Sequence, residues 1–317
     1  MNKDTKSTIE GKDEAKETFE KKPSERSIQE TVTFQVARRR RNLMFDALTL
    51  IFASIFVVCL FEILFYYGSG YLYKRSMSGI SEAIGGGIAG DFEASRANGD
   101  MMVFPDEEPH TLVGYVSRFE DALSDTWKEK YRYLSEFNPD CIGYLEIPGT
   151  MVSYPVMFTP ERYDYYLWKN FSGQYEQRGL PFMDSETKIG KSQNYLLYGH
   201  AMMDGHNFGT LSRYLDKAFW EQYQYCYFNT AYSEGVYQIM YVCRSKIYRV
   251  DEDCFKYYRY GGVLSENEFN TYVREMHRLA IYETGVTATW GDELLSLSTC
   301  DHYTEDGRLI VVCKRIK

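Results

Sequence analysis

Short apolar runs rich in β-branched and aromatic residues recur along the chain beyond residue 140. Turn-forming residues separate them, and each run has the length of a single strand. Many short strands at close spacing are typical of a β-barrel or a β-sandwich. The predicted strands are Ile142–Ile147, Met151–Met157, Leu180–Met183, Tyr195–Tyr198, Tyr225–Asn229, Val236–Ser245, Leu294–Thr299 and Leu309–Lys314.

Helical spacing replaces this pattern in two places. Over Thr111–Phe137 apolar residues recur every three or four positions, which predicts one or two amphipathic helices that end before an Asn-Pro break. Another helix is predicted over Glu266–Tyr282, where Ser265 and Glu268 form a capping-box pattern. Its predicted buried stripe is Phe269, Tyr272, Val273, Met276 and Ala280.

The longest apolar run lies near the N-terminus, over Leu43–Tyr67, and follows four consecutive arginines, Arg38–Arg41. At about 1.5 Å per residue this run is long enough to cross a hydrocarbon core of about 30 Å. The arginines predict that the N-terminus stays in the cytoplasm and that the rest of the chain is extracellular. A cleaved signal peptide fits less well, because a long polar tail precedes the arginines and no small-residue cleavage site follows. The arginines also argue against a helix buried in a soluble core.

These patterns divide the chain into four parts. Residues 1–41 are polar and are predicted to form a disordered cytoplasmic tail, and residues 42–67 to form a single transmembrane anchor. Residues 68–110 contain a Gly-Gly-Gly run and two prolines, and are predicted to be an irregular linker. Residues 111–317 carry the predicted strands and amphipathic helices and are therefore predicted to form the main folded domain.

Composition narrows the classes of function. The net charge is −9, whereas a general nucleic-acid binder needs a basic face, so no nucleic-acid partner is expected. The seven cysteines are odd in number and lack CxxC spacing, which argues against zinc ribbons and redox pairs. Cysteines within strand-like runs, such as Cys243 and Cys313, are expected to be small buried hydrophobes.

Cys300 differs from these cysteines because it ends a predicted strand and precedes a polar loop. A nucleophilic thiolate needs solvent access and cationic neighbours. If residues 301–307 form a hairpin loop, Arg308 opens the partner strand and approaches Cys300, where it would lower the thiol pKa or bind a developing oxyanion. The alternative is a surface arginine that pairs with a nearby carboxylate, namely Asp301, Glu305 or Asp306.

His200 is the histidine best placed to act with a thiol. It ends the run NYLLYGH, where a predicted strand gives way to a polar, glycine-containing loop, and a titratable residue at such a position reaches a cleft. A lone histidine of this kind is more often structural than catalytic. A zinc site built from Cys300, His302 and His200 is disfavoured, because too few clear ligands are present.

At these residues the chain closely resembles the class B sortases, which are cysteine transpeptidases of Gram-positive cell surfaces. The family signature Thr-Leu-x-Thr-Cys reads Ser296-Leu297-Ser298-Thr299-Cys300 here, with serine in place of the first threonine. A Tyr-Gly-His sequence that ends a strand matches the family motif at His200, and Arg308 matches the arginine that opens the last strand. Further blocks resemble the family in order, so that the resemblance covers about Thr111 to Lys317: NPDCIGYLEIPGTMVSYPVM, YDYYLWKNFSGQYEQRGLPFMD and NYLLYGHAMMDGHNFGTLSRYLDKAFW.

The resemblance implies a mostly β fold. This fold is a sortase-type closed β-barrel with N-terminal helices and a long helix between two late strands, preceded by a single transmembrane helix. The resemblance also implies that Cys300 is the nucleophile, that His200 is the general acid and base, and that Arg308 orients the substrate and stabilises the oxyanion. No metal or other cofactor is implied. Candidates to line the substrate groove are Leu167, which lies in a matching block, and Ser298 and Thr299, which precede the thiol.

The implied activity is transpeptidation outside the membrane. The enzyme would cleave the C-terminal sorting motif of a secreted surface protein after threonine and pass the acyl group through a thioester to an amine. That amine belongs to a peptidoglycan precursor or, in a pilin-polymerising sortase, to a pilin lysine. Two alternatives stay open, namely a cysteine hydrolase that uses water and an inactive binding module on the same fold. The intact Cys, His and Arg argue against the inactive module.

Overall fold

A computed structural model of the chain describes residues 25–83 and 125–317. Over these residues the chain forms the helices α1 (Glu25–Ala83), α2 (Asp125–Phe137), α3 (Lys217–Gln222) and α4 (Glu266–Leu279). The strands are β1 (Cys141–Glu146), β2 (Ser153–Met157), β3 (Phe182–Met183), β4 (Asn194–Tyr198), β5 (Tyr225–Thr230), β6 (Val236–Lys246), β7 (Leu294–Cys300) and β8 (Gly307–Arg315). Each strand lies within one of the predicted apolar runs or overlaps most of it.

The eight described strands close into a barrel in the order β1-β2-β3-β4-β7-β8-β6-β5, which β5 completes by pairing with β1. The pairs β2–β3 and β4–β7 are parallel, and the other neighbours are antiparallel. The predicted mostly β fold with a closed barrel is therefore confirmed. The parallel pairing of β4 with β7 cannot be deduced from the apolar pattern, because many residues separate these two strands.

Alternate residues of the barrel strands pack into two separate hydrophobic clusters. Leu295 and Leu297 of β7 belong to the larger cluster, whereas Leu294 belongs to a second cluster that includes α4. This division follows from the strand geometry, since successive side chains point to opposite faces of a sheet. Strand β7, which ends at the predicted nucleophile Cys300, therefore has one face in the main core and the other against α4.

Helix α4 begins as its sequence predicts. Ser265 accepts a hydrogen bond from the Glu268 backbone N–H, and the Glu268 carboxylate accepts one from the Ser265 backbone, which completes the capping box. The helix ends at Leu279, earlier than predicted, because Ala280 adopts extended backbone and bridges to Cys243 of β6. Its buried residues are Phe269, Tyr272, Val273 and Met276.

Helix α4 is also hydrogen-bonded to the strand that it covers. The hydroxyls of Tyr272 and Ser296 lie 2.7 Å apart, and Ser296 donates to the Asn194 side chain at 2.8 Å. These polar groups are fully buried, so each contact satisfies a hydroxyl or amide that would otherwise be desolvated without a partner. The serine that replaces threonine in the sequence motif therefore links β7 to α4 and β4.

The chain divides into two compact units, Met1–Tyr67 and Gly68–Lys317. Within the described residues of the first unit, α1 contains the apolar run, and this helix is long and apolar enough to cross a membrane by length and composition. Helix α1 begins at Glu25, so residues 25–41 are helical and not disordered as predicted. This segment contains neither glycine nor proline, so nothing in it interrupts a helix.

The predicted linker over residues 68–110 is also corrected in part. Helix α1 continues to Ala83, so residues 68–83 are helical, and the remainder of that range lies outside the described residues. Apolar side chains at helical spacing explain the continuation, because Tyr73 and Met77 are buried in the main core and Ile80 packs beside them. Of the helices predicted before the Asn-Pro break, α2 is confirmed, and residues 111–124 lie outside the described residues.

Candidate active site

Three adjacent strands bring the sequence-predicted catalytic residues to one edge of the barrel. In the parallel pair β4–β7, Tyr198 is in register with Ser298. His200 and Cys300 each lie two residues beyond this pair, so His200, just past the end of β4, lies at the same strand end as Cys300, the last residue of β7. In the antiparallel pair β7–β8, Cys300 lies directly opposite Arg308. A thiol, an imidazole and a guanidinium are therefore carried by neighbouring chain segments.

Two hydrogen bonds hold the β4 and β7 ends together between the register pair and the candidate catalytic residues. The Gly199 backbone N–H donates to the Ser298 carbonyl at 3.2 Å, and the Thr299 hydroxyl donates to the Gly199 carbonyl at 2.7 Å. Because Gly199 and Thr299 directly precede His200 and Cys300, these bonds restrict how far the two functional side chains separate.

Cys300 has the solvent exposure that a nucleophile requires. The other barrel-domain cysteines that the structure describes are buried, except Cys254, whose sulfur lies 3.9 Å from the Glu252 carbonyl oxygen. Burial raises the pKa of the Cys141 thiol to about 12, so such thiols stay protonated and unreactive at neutral pH. The prediction that Cys243 and Cys313 are buried is confirmed.

His200 is half-buried and has a defined orientation. Its Nε2 lies 2.8 Å from the Leu167 carbonyl oxygen, and its ring centroid lies 4.7 Å from that of Trp168. A carbonyl only accepts hydrogen bonds, so Nε2 carries the proton and Nδ1 of the neutral ring carries the free lone pair. Burial lowers the pKa of His200, and the bond to Leu167 opposes this shift. The imidazole is therefore predominantly neutral at pH 7.

Arg308 presents its guanidinium at the mouth of the β7–β8 hairpin. Its Nη1 donates to the carbonyl of Gly307 at 2.8 Å and to that of Asp306 at 3.2 Å. The nearby carboxylate of Asp301 is bonded to Arg244 instead, with Nε and Oδ2 2.7 Å apart. The alternative in which Arg308 pairs with Asp301 is thus not the observed arrangement, and a substrate oxygen would not have to displace this carboxylate from Arg308.

Tyr257 lies beneath this site, in a 3-10 turn between β6 and α4. Its hydroxyl is 2.8 Å from the Ser298 hydroxyl. Burial raises the pKa of Tyr257 to about 12, the bond to Ser298 and the charge of Arg308 oppose the rise, and Cys300 adds to it. Tyr257 is therefore a neutral phenol whose hydroxyl lies within electrostatic reach of both Cys300 and Arg308.

The three residues predicted to line a substrate groove have different surroundings. Ser298 and Thr299 are 1% and 3% exposed, and their hydroxyls bond to Tyr257 and to the Gly199 carbonyl. Leu167 is partly buried against the main core, and its carbonyl is the partner of the imidazole. Substrate binding by these residues stays a prediction, and the observed contacts are hydrogen bonds that join them to Tyr257, to Gly199 and to His200.

Sequence reasoning missed three residues of this neighbourhood: Trp168, Arg244 and Tyr257. Trp168 is adjacent to the predicted Leu167, and a tryptophan next to a predicted groove residue is a signal that the sequence offered. Arg244 and Tyr257 had no such signal, because only the β6–β8 pairing and the packing of the segment before α4 bring them to Cys300.

His302 follows the thiol and is exposed on the hairpin loop. Among the described residues there is no group of three or more His, Cys, Asp or Glu side chains arranged to hold a metal ion. The described geometry therefore gives no support to the zinc alternative that joined His302 to Cys300 and His200.

Comparisons with known proteins agree with this geometry. The sortase-domain family model matches residues 145–316. Sortase B from Staphylococcus aureus is 28% identical over 193 residues, which is 60% of this chain and 76% of that protein. Sortase B from Listeria monocytogenes is 28% identical over 195 residues, covering 60% and 75%.

Solved structures show the same similarity. The structure of sortase B from Bacillus anthracis in complex with AAEK1 is 29% identical, with a TM-score of 0.51 over 59% of this chain and 84% of that one. The S. aureus sortase B–substrate complex is 25% identical, with a TM-score of 0.54 over 65% and 95%.

Two findings define the class of protein. The closed barrel carries a thiol, an imidazole and a guanidinium on neighbouring chain segments at one edge, and the family model matches more than half of the chain. The chain belongs to the sortase family, whose members are transpeptidases. Its similarity to sortase B proteins supports class B within that family.

Proposed function

We propose that the protein is a membrane-anchored cysteine transpeptidase that cleaves a C-terminal sorting motif after threonine and transfers the acyl group to an amine. The observation that carries the proposal is the register of three neighbouring strands, which places exposed Cys300 opposite Arg308 and at the same strand end as His200. The similar S. aureus sortase B was solved as a substrate complex, which supports a substrate-binding role for the matching domain of this chain.

Acylation of the enzyme begins at Cys300. The sulfur attacks the threonine carbonyl of the sorting motif, and the thiol proton passes to the lone pair of His200. Arg308 orients the peptide and stabilises the negative charge that develops on the carbonyl oxygen. The C–N bond then breaks, His200 donates its proton to the departing amine, and a thioester to Cys300 remains.

The second half of the reaction regenerates the enzyme. An acceptor amine attacks the thioester carbonyl, and His200 accepts a proton from this amine. The C–S bond breaks, the new amide leaves, and the sulfur recovers the proton from the imidazole. The thioester preserves the acyl-transfer potential, so the reaction needs no separate energy source.

The proposed partners follow from this chemistry and from the apolar helix. The donor is a secreted surface protein with a C-terminal sorting signal, and the acceptor is an amine of a peptidoglycan precursor, with a pilin lysine as the alternative. We place the catalytic domain outside the membrane and the N-terminus in the cytoplasm, because Arg38–Arg41 precede the apolar run over Leu43–Tyr67.

The test incubates the full chain with a library of sorting peptides and measures which peptides it cleaves. Mass spectrometry then identifies adducts on the protein and the products released. A covalent adduct on the wild type that Cys300→Ala lacks and Cys254→Ala retains is the expected result. Cys254 is the matched control because it is the other exposed thiol among the described barrel-domain residues. An adduct and product formed equally by Cys300→Ala would refute the proposal.

Addition of a glycine peptide separates transfer from hydrolysis. A transpeptidase joins the acyl group to the glycine amine, whereas a cysteine hydrolase releases only the free acid. Release of the free acid alone, at saturating glycine peptide, would favour the hydrolase.

A further inference from the structure

The part of α1 beyond residue 67, where the predicted membrane anchor ends, belongs to the same compact unit as the barrel and is packed into it. We call residues 68–83 the docked segment. Tyr73 and Met77 are 3% and 6% exposed and belong to the main core, whereas Tyr71 on the same stretch of helix is 67% exposed. The docked segment therefore has one defined buried face, and this face leads to the neighbourhood of His200 by two routes.

The first route runs through Arg178. Its guanidinium is 1% exposed and donates to Asp204 at 3.1 Å and to the Ser69 hydroxyl at 3.1 Å, and it lies 5.7 Å from the centre of the Tyr73 ring. Glu176 adds a second carboxylate at 3.5 Å. A buried guanidinium is destabilising when its partners are removed, so these contacts restrict the position of Arg178.

Arg178 in turn holds the loop that follows His200. Asp204 lies in that loop, and the Asn207 side-chain amide donates to the Arg178 carbonyl at 2.8 Å. The Phe208 backbone N–H closes the loop with a 2.9 Å bond to the His200 carbonyl. Displacement of Arg178 would therefore be transmitted to the backbone of the imidazole residue.

The second route runs through Gly179 to the carbonyl that orients the imidazole. The Tyr73 hydroxyl donates to the Gly179 carbonyl at 2.8 Å. Gly179 has φ +55°, and a Cβ at this position would lie 2.2 Å from the Leu167 carbonyl oxygen, so the two backbones are in close contact. That same Leu167 oxygen is the acceptor for His200 Nε2.

We propose that the docked segment is a positioning element of the active site. Ser69 acts through Arg178 and holds the loop after His200. Tyr73 acts through Gly179 and holds the Leu167 carbonyl, and together these contacts orient the imidazole. The expected effect on the rate of catalysis rests on the proposed transpeptidase function. The expected effect on the orientation of the imidazole is independent of that function.

The test compares Tyr73→Phe with Tyr71→Phe in the full chain in detergent or nanodiscs. Both changes remove one hydroxyl from the same stretch of α1, but only Tyr73 donates to Gly179. The ring carbons of histidine are labelled with ¹³C, and the His200 signal is assigned from a His200→Gln sample. A pH titration of the His200 signal is then followed in each variant, together with the thermal midpoint and, for a cleaved sorting peptide, kcat and KM.

The expected result for Tyr73→Phe is a shifted His200 signal and an altered titration curve, because the variant loosens both the Leu167 carbonyl that bonds Nε2 and the loop that keeps the ring buried. Loss of the Leu167 bond lowers the pKa and entry of water raises it, and burial is the larger of the two effects, so the pKa is expected to rise towards the ordinary histidine value. We expect kcat to fall about threefold to tenfold with KM unchanged, the range that corresponds to loss of one hydrogen bond. Ser69→Ala is the second variant, and the same direction of change is expected from it. Tyr71→Phe is expected to match the wild type.

His200 titration curves of Tyr73→Phe and Ser69→Ala that both coincide with the wild type would overturn the proposal, even if the thermal midpoints fall. A wild-type chain that cleaves no sorting peptide would instead refute the transpeptidase function, and the titration curves would still decide whether the docked segment orients the imidazole.

Discussion

His200 and Cys300 follow the same register pair, Tyr198 and Ser298, on two parallel strands that are hydrogen-bonded to each other. The C-terminal ends of two parallel strands lie at the same edge of a sheet, so the residues that follow a register pair lie next to each other. Two bonds between Gly199 and the β7 end make this alignment rigid up to the last residue before each functional side chain. The juxtaposition of imidazole and thiol therefore depends on backbone pairing and not on a flexible loop.

The pH dependence of activity follows from the burial of His200. Its pKa lies below the ordinary value of 6.5, and a Cys–His pair loses activity as pH falls through the lower of its two macroscopic pKa values. The acid limb of kcat/KM is therefore expected below pH 6.5, with activity retained above it. A pH profile from pH 5 to 9 measures this limb, and His277→Gln, which changes an exposed histidine, is expected to leave it unchanged. A limb above pH 6.5 would contradict the assignment.

Trp168→Ala is expected to raise the pKa of His200 towards the ordinary value, because the indole ring shields one side of the imidazole. The acid limb of kcat/KM should move upward by several tenths of a pH unit, an effect of about 1 kcal/mol or less. Trp290→Ala is the control, since Trp290 is similarly exposed but its ring packs on Phe269. Equal acid limbs in the two variants would show that Trp168 has no such effect.

Arg308→Lys is expected to lower kcat/KM about a hundredfold, the scale for removal of one oxyanion donor. Lysine keeps the positive charge but lacks the planar fork that bonds the Gly307 carbonyl and presents further N–H groups to a substrate oxygen. Arg249→Lys, on an exposed arginine, is the matched control. Steady-state kinetics with a cleaved sorting peptide measure the effect, and identical kcat/KM values for the two variants would remove Arg308 from the mechanism.

Tyr257→Phe is expected to reduce the free energy of unfolding by about 1 to 3 kcal/mol, because it leaves the buried Ser298 hydroxyl without this partner. Chemical denaturation measures the change, with Tyr163→Phe as an exposed control. The double variant Tyr257→Phe/Ser298→Ala should lose less stability than the sum of the two single variants, since both remove the same bond. Strict additivity would mean that the hydroxyls do not stabilise each other.

Several features of this protein follow from the sequence alone. Short apolar runs between turn residues determine where the strands lie, because a strand that is buried on both faces has a nearly continuous apolar sequence. The capping box at Ser265 and Glu268 determines where α4 begins, because it satisfies backbone N–H groups within a few residues. The long apolar run, the strand-ending thiol and the matching family motifs are likewise local properties, so the sequence alone predicts His200, Cys300 and Arg308 as candidate catalytic residues.

Other features depend on contacts between distant parts of the chain. The pairing of β4 with β7 joins residues about one hundred positions apart, and no local propensity encodes that choice. Tyr257 and Arg244 reach the site only through the packing before α4 and the β6–β8 pairing. The Gly-Gly-Gly run and the prolines that predict a linker over residues 68–110 lie beyond Ala83 in the sequence, and burial of Tyr73 and Met77 in the main core stabilises the helix up to Ala83. Sequence thus determined the elements and their chemistry, whereas tertiary packing decided which of them meet.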